Sequence, residues 1–377
     1  MKGGWQMKTL DQIALNLDSK RIPITKSARV SGKYPYYGAS GIVDYVTDYI
    51  FEGDTLLVSE DGANLLARST PIAFPASGKY WVNNHAHILK FDDMTTQRFV
   101  ELYLDSIPLD EYVTGAAQPK LNQQALNSIP IPLPSLPEQQ RIVGILDEAF
   151  EGIAIAKANA EKNLHNARAL FESHLQSVFT QRGNGWVEKK LRDVCAITSV
   201  LVDPRKKEFL DLIHVGAGNI ESQTGVFIDL KTARKEALIS GKFIFDEKMV
   251  LYSKIRPYLM KVARPDFRGL CSADMYPLAP IPDQITRDYL FHLLLNKDFT
   301  DYAIQGSARA GMPKVNREHL FEFKFWLPDL KTQKQLADDL DSLAAETQRL
   351  SSIYQQKLAA LDELKKSLLH QAFSGEL

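Results

Sequence analysis

The chain has 377 residues, 45% of them hydrophobic and 24% charged, and its 45 Lys and Arg against 46 Asp and Glu give a formal net charge of -1. That length predicts two or more cores, since single domains run to roughly 100–200 residues, and the composition excludes a disordered chain. It excludes a strongly basic nucleic-acid binder too, so any case for DNA must come from where the charges sit.

Gly4-Trp5, followed by Lys8, Leu10 and Asp11, opens the chain. No run of about 18 apolar residues occurs and the first residues lack the apolar centre of a signal peptide, so a cytoplasmic protein is expected, with no membrane contact. Strand-like runs at residues 55–58, 80–82 and 87–89, with a helical stretch near 97–105, make residues 1–133 one mixed α/β domain. A small-residue turn, Gly115-Ala116-Ala117, precedes Pro119-Lys120-Leu121-Asn122, and Leu133-Pro134-Ser135-Leu136 then leads into a different composition. Residues 134–181 are rich in Ala, Leu, Glu, Gln and Lys and predict a long helix from about 138. Ile142, Leu146, Ala149, Ile153, Ala156, Ala160, Ala167, Leu170 and His174 recur in steps of three and four, the seam of a coiled coil.

The second half repeats the first. Gly185-Trp186 with Lys189 and Leu191 opens residues 182–327, a second mixed domain with strand-like runs at 249–252 and 323–326 and a helix near 287–296. Pro313-Lys314-Val315-Asn316 echoes Pro119-Lys120-Leu121-Asn122 at an offset of 194, as Leu327-Pro328-Asp329-Leu330 echoes Leu133-Pro134-Ser135-Leu136. The same offset pairs Gln139 with Gln333, Asp147 with Asp341, Leu170 with Leu364 and Phe179 with Phe373. Residues 328–377 carry the second helix, about 331–373, whose seam runs through Leu336, Leu340, Leu343, Thr347, Leu350, Tyr354, Leu361, Leu364 and Leu368. Helices of roughly 40 residues span about 60 Å and need long partners, so each helix is expected to pair with the other, antiparallel, one domain at each end. The expected fold is α+β: two mixed domains joined by two long antiparallel coiled-coil helices in a pseudo-two-fold, circular repeat.

This layout resembles the specificity subunits of type I restriction-modification systems over essentially the whole chain. The resemblance extends to motifs: Lys33-Tyr34-Pro35-Tyr36-Tyr37-Gly38-Ala39-Ser40-Gly41-Ile42, Glu60-Asp61-Gly62-Ala63 and Gly78-Lys79-Tyr80-Trp81-Val82-Asn83-Asn84-His85-Ala86 in the first half, and Ser253-Lys254-Ile255-Arg256-Pro257-Tyr258 in the second. Leu136-Pro137-Glu138-Gln139-Gln140-Arg141-Ile142 looks like the family's way into its central helix. The resemblance implies two target-recognition domains that read a bipartite, asymmetric site on double-stranded DNA. It implies two copies of a modification (methyltransferase) subunit carrying S-adenosylmethionine chemistry, with restriction subunits (translocase and endonuclease) recruited through them. The repeat independently offers two similar surfaces to two copies of one partner. Lys331-Thr332-Gln333-Lys334 departs from the first helix's start, so the two surfaces are expected to be unequal.

Residues that would carry chemistry in the chain itself are missing. Val215-Gly216-Ala217-Gly218-Asn219 lacks the third glycine and following helix of a cofactor loop, and reads as a turn. Asp246-Glu247-Lys248 is expected to be a solvated turn rather than a nuclease element. Asn84-His85-Ala86-His87 brings two imidazoles close without a third or fourth ligand, so no metal is expected. The two cysteines, Cys195 and Cys271, are too few for a disulfide framework or a thiolate zinc site. A non-catalytic chain with no cofactor follows; the alternatives are a self-sufficient DNA-modifying enzyme and a coiled-coil scaffold without DNA recognition.

For DNA contact, Lys254, Arg256, Tyr258 and Lys261 interleave charge and aromatic groups near a strand end, suited to phosphates and to guanine. Arg309, Lys314, Asn316 and Arg317 sit in and after a Gly-rich loop, and Gln118, Lys120 and Asn122 hold the equivalent place in the first half. Tyr36 and Lys79 complete the candidates, Tyr36 with packing as its competing reading. Residues 1–133 hold 12 Lys and Arg against 14 Asp and Glu, whereas 185–327 hold 22 against 18, so the second domain is expected to dominate phosphate attraction.

Overall fold

A computed structural model describes residues 4–115, 117–307 and 313–377. The chain divides into two compact units, one of residues up to Ala160 with Gln356–Leu377, the other of Glu161–Gln355.

In the first unit, the apolar run predicted at 55–58 forms strand Thr55–Ser59, buried along its whole length between Ala73–Ala76 and Ala86–Lys90, with Leu15–Asn16 at the sheet's edge. A second four-stranded sheet orders Gly41–Val46, Ser31–Gly38, Lys79–Val82 and Phe51–Glu52. The helices are α1 (Asn64–Ala67), α2 (Met94–Ser106) and α3 (Gln123–Asn127). Asp93 starts α2 by accepting from the Thr96 amide at 3.0 Å, and the helix buries Phe99, Val100, Leu102 and Leu104. An antiparallel ribbon of Gln6–Thr9 with Pro130–Leu133 closes the domain and delivers the chain to α4 (Leu136–Thr180).

The second unit repeats that closure with Val187–Lys190 against Lys324–Leu327. It holds a four-stranded sheet ordered Cys195–Ala196, Met275–Pro280, Val250–Ser253 and Val262–Ala263, and a five-stranded one that includes a parallel pair, Ile213–Val215 with Gly269–Cys271. The helix expected near 287–296 is α5 (Arg287–Leu295), and α6 (Lys297–Gln305) follows at once because Asn296 caps it by accepting from the Asp298 amide. Next come α7 (Arg317–Phe321) and α8 (Leu330–Ser374).

The expected antiparallel pairing is present within each unit. In the first, Ile142 and Leu146 at the start of α4 share a core with Leu369 and Ala372 at the end of α8, and the Phe373 ring lies 5.2 Å from Phe99. In the second, Leu175 and Val178 at the end of α4 share a core with Leu340 near the start of α8, and Phe179 lies 5.1 Å from Tyr289. Two residues 194 apart fix each helix to its domain. Buried Gln139 accepts from the Thr96 hydroxyl and donates to the Pro134 carbonyl; buried Gln333 accepts from the Thr286 amide and donates to Pro328 and Gln284 carbonyls. Asp147 accepts from Arg98 at 2.6 and 3.0 Å, and Asp341 accepts from Arg264 and His292, each at 2.8 Å.

The seam differs from expectation at three residues, one of them His174 of α4, which is exposed. Leu170 and Leu364 are 61% and 47% exposed. Toward the end of α4 the inward positions are Ala167, Phe171, Leu175 and Val178, and toward the end of α8 they are Leu361, Leu368, Leu369 and Ala372. A 3.6-residue turn drifts against a strict 3.5 repeat by about 20° per heptad, and over 45-residue helices that drift carries a seam one position along. No helix among the described residues is long and apolar enough to cross a membrane. Cys195 and Cys271 are both free and buried.

Candidate nucleic-acid interface

Strand Val250–Ser253 is fully buried, and the chain leaves it at Lys254. The Val315 amide donates to the Lys254 carbonyl at 2.8 Å and the Arg256 amide to the Pro313 carbonyl at 2.9 Å, so the turn 254–256 lies alongside 313–315. This pairing joins the two candidate segments of the second domain. Arg256 is exposed, has a left-handed backbone (φ +49°), and pairs with no acidic side chain among the described residues. Tyr258 is exposed beside it. Lys314 is exposed, its Nζ 3.7 Å from Asp274. Arg317 is exposed and donates to the Ile197 carbonyl at 3.2 Å. Arg309 lies outside the described residues.

Two lysines face inward. Lys254 donates to the Ala273 carbonyl, and burial together with Lys314 lowers its pKa. Lys261 donates to the Ala217 carbonyl at 2.6 Å. Asn316 accepts from the His319 amide at 2.7 Å and Asn122 from the Ala125 amide at 2.9 Å, so both amide oxygens cap short helices.

In the first unit, Gln118 and Lys120 are exposed on a segment paired with residues 60–62, and Lys120 Nζ lies 3.1 Å from Glu60. Lys79 is on the other sheet, 4.5 Å from the Tyr49 ring centre and 3.9 Å from Glu52. Tyr36 is corrected: it is 0% exposed, its hydroxyl accepts from the Ile24 amide at 3.1 Å, and it cannot reach a base. The bulge between Tyr36 and Tyr37 decides which tyrosine faces inward, a feature that alternation alone does not reveal.

Several groups at this surface lie in the quoted motifs without being among the candidates for DNA contact. His85, 48% exposed at the side chain, has its Nδ1 2.7 Å from the Asp61 carboxylate. Beneath it, Asp18, Glu60 and His87 bring ligand-type atoms within 4.8 Å of one another. Those atoms are already engaged. His87 Nδ1 is 2.5 Å from Asp18, His87 Nε2 donates to the Leu121 carbonyl at 2.8 Å, and Glu60 takes Arg21 at 2.6 Å as well as Lys120. Burial opposes charge on Glu60, and Arg21, His87 and Lys120 together overcome it, holding the carboxyl below its ordinary value. With two cations already on the carboxylate, the cluster is an internal ion-pair network rather than a metal site. The signal for this surface lay in the 194 offset, which aligns Glu60-Asp61-Gly62 with Lys254-Ile255-Arg256.

A family model described as the type I restriction modification DNA specificity domain matches residues 2–165 and again 183–358. The chain is 26% identical over 380 residues to the type I restriction enzyme EcoDI specificity subunit of Escherichia coli, covering 92% of this chain and 83% of that one. A putative type I restriction enzyme specificity subunit of Haemophilus influenzae is 40% identical over 142 residues, 38% of this chain and 36% of the relative. Two solved structures share the fold at 16% identity. One, from a study of assembly and conformational transition of the type I R-M system, has a TM-score of 0.73 and covers 100% of this chain and 99% of its own. The other, the HsdS subunit from Thermoanaerobacter tengcongensis, has a TM-score of 0.59 and covers 100% and 98%.

Proposed function

The chain belongs to the type I restriction-modification DNA specificity family and is a specificity subunit of that kind, and from that premise we propose that it reads double-stranded DNA for chemistry performed by other subunits. Each mixed domain reads one half of an interrupted, asymmetric site. The chain acts in the cytoplasm, takes no cofactor, catalyses nothing itself, and assembles with two modification subunits and, through them, with restriction subunits.

The observation that carries the DNA reading is the paired surface of the second unit, where Arg256, Tyr258, Lys314 and Arg317 stand exposed on neighbouring segments. Arginine there suits bidentate contact with guanine, and the flanking cations suit phosphates. The two-partner reading is supported by Leu170 and Leu364, exposed at equivalent positions of the two long helices. A single exposed leucine means little; the same one placed twice at the same turn suits two copies of one partner.

The test is retention of duplex DNA by the chain alone and with its modification subunit, followed by incubation of the pure chain with DNA, S-adenosylmethionine and Mg²⁺. A net charge of -1 supplies little counterion release, so binding is expected to be weak alone and to tighten with the partner, with no turnover by the pure chain. Methylation or cleavage by the chain alone would overturn the non-catalytic reading. Absence of DNA retention even in the complex would favour a scaffold.

A further inference from the structure

The two units build one corner with the same backbone and furnish it with different side chains. In the first, the Glu60 amide donates to the His85 carbonyl at 2.9 Å, the Leu121 amide to the Glu60 carbonyl at 2.8 Å, and the Gly62 amide to the Pro119 carbonyl at 3.0 Å. In the second, the Lys254 amide donates to the Asp274 carbonyl at 3.0 Å, the Val315 amide to Lys254 at 2.8 Å, and the Arg256 amide to Pro313 at 2.9 Å. A buried polar side chain ties down the same strand in each: His87 donates to the Leu121 carbonyl at 2.8 Å, and the Tyr276 hydroxyl to the Val315 carbonyl at 3.1 Å. These bonds make Glu60 equivalent to Lys254, Gly62 to Arg256, His85 to Asp274 and Lys120 to Lys314. The scaffold is kept while charge inverts at Glu60/Lys254, a site that reads two different sequences needing rigid support and variable display.

Two further observations show which side chains are displayed for use. Gly62 and Arg256 both have left-handed backbones, φ +110° and +49°. Glycine adopts that conformation freely, whereas arginine pays a steric penalty there, and an exposed arginine held in it with no acidic partner among the described residues points to a role outside the fold. At the first corner, His85 Nδ1–H donates to Asp61, which fixes the ring; in the neutral ring Nε2 is then the acceptor, and it has no partner among the described residues.

We propose that these two corners are the base-reading centres of the chain. His85, positioned by Asp61, accepts from the exocyclic amine of an adenine or cytosine in the first half-site, and Arg256 donates to a guanine in the second. The assignment rests on the DNA-reading function proposed above and extends it to two residues and two base classes.

The experiment uses the full chain assembled with its modification subunit, and compares wild type with Arg256→Gly, His85→Ala, His85→Gln and Asp61→Asn. Sites are mapped by methylation, and discrimination is measured by competition among duplexes carrying single base-pair changes in each half. Arg256→Gly installs the residue that the first corner carries, so its melting temperature is expected to equal or exceed wild type. It should lose about tenfold or more discrimination at one guanine of the second half-site, with the first unchanged. His85→Ala should relax one position of the first half-site alone, His85→Gln, which retains an acceptor, should relax it less, and Asp61→Asn should follow His85→Ala. Undiminished discrimination in Arg256→Gly and His85→Ala, or equal losses in both halves, would overturn the proposal. A wild-type complex without sequence-specific methylation would instead sink the underlying functional reading.

Discussion

Asp341 and Glu101 show two opposite outcomes for a carboxylate at least half-buried where a long helix meets its domain. Burial opposes charging Asp341, but hydrogen bonds from His292 and Arg264 overcome it and hold the carboxyl well below its ordinary value. A depressed pKa contributes stability that is present above the ordinary carboxylate value and lost as pH falls below it. Asp341→Asn should therefore cost about 1–3 kcal/mol at pH 7, and the gap from wild type should close below about pH 4 in urea titrations. In the first unit, burial pushes Glu101 up to about 7, against the pull of Arg98 at 2.5 Å. A raised carboxylate pKa has the opposite sign: the folded chain keeps a proton that the unfolded chain releases, so stability falls as pH rises from about 4.5 to 7. Glu101→Gln should flatten that fall, gaining up to about 3 kcal/mol over wild type at pH 8 and almost nothing at pH 4. A variant that tracks wild type at both pH values would show Glu101 charged throughout. Neither shift is legible in the sequence, because that of Asp341 depends on His292 and Arg264, 49 and 77 residues away, and that of Glu101 on burial by the tertiary fold. The capping roles of Asn122 and Asn316 were within reach, since each directly precedes a short helix.

The helices were the most legible elements. Composition and periodicity place them near 138–181 and 331–373, and α4 and α8 span 136–180 and 330–374. What a repeat of three and four cannot settle is where the drift of a real helix moves the seam, and Leu170 and Leu364 turned outward for that reason. Their outward position yields a prediction. Leu170→Glu and Leu364→Glu should leave thermal stability within about 0.5 kcal/mol of wild type, as exposed substitutions do. Each should reduce the modification subunits bound from two to one by native mass spectrometry, and the double variant should bind none. Two subunits bound by the double variant would place the partner surfaces elsewhere. The short strands were less legible. The five-stranded sheet of the second unit is assembled from pieces of two to four residues whose pairing, including the parallel contact of Ile213–Val215 with Gly269–Cys271, is set by tertiary packing rather than by alternation.

Duplication is the organising fact of the whole molecule. One offset of 194 carries the helix anchors Gln139 and Gln333, the aspartates Asp147 and Asp341, and the turns that hold Gly62 and Arg256. The halves part in charge, 12 Lys and Arg against 14 Asp and Glu in residues 1–133 and 22 against 18 in residues 185–327, so they present different surfaces to DNA on a shared plan. Both long helices pass from one unit into the other, and we infer that their length sets the unread gap between half-sites. The most direct test is to sequence methylated positions in a host carrying this chain and its modification subunit, for wild type and for a variant with four residues inserted near Ala156. Four residues add about 6 Å of helix and rotate the seam by only about 40°, a tolerable stutter. The account predicts one wild-type motif of two fixed half-sites around a constant unspecified spacer, and, with DNA rising about 3.4 Å per base pair, the same half-sites one or two base pairs further apart in the insertion variant. A single uninterrupted wild-type motif would contradict separate reading by the two domains, and an active insertion variant with the original spacer would contradict the helices as its measure.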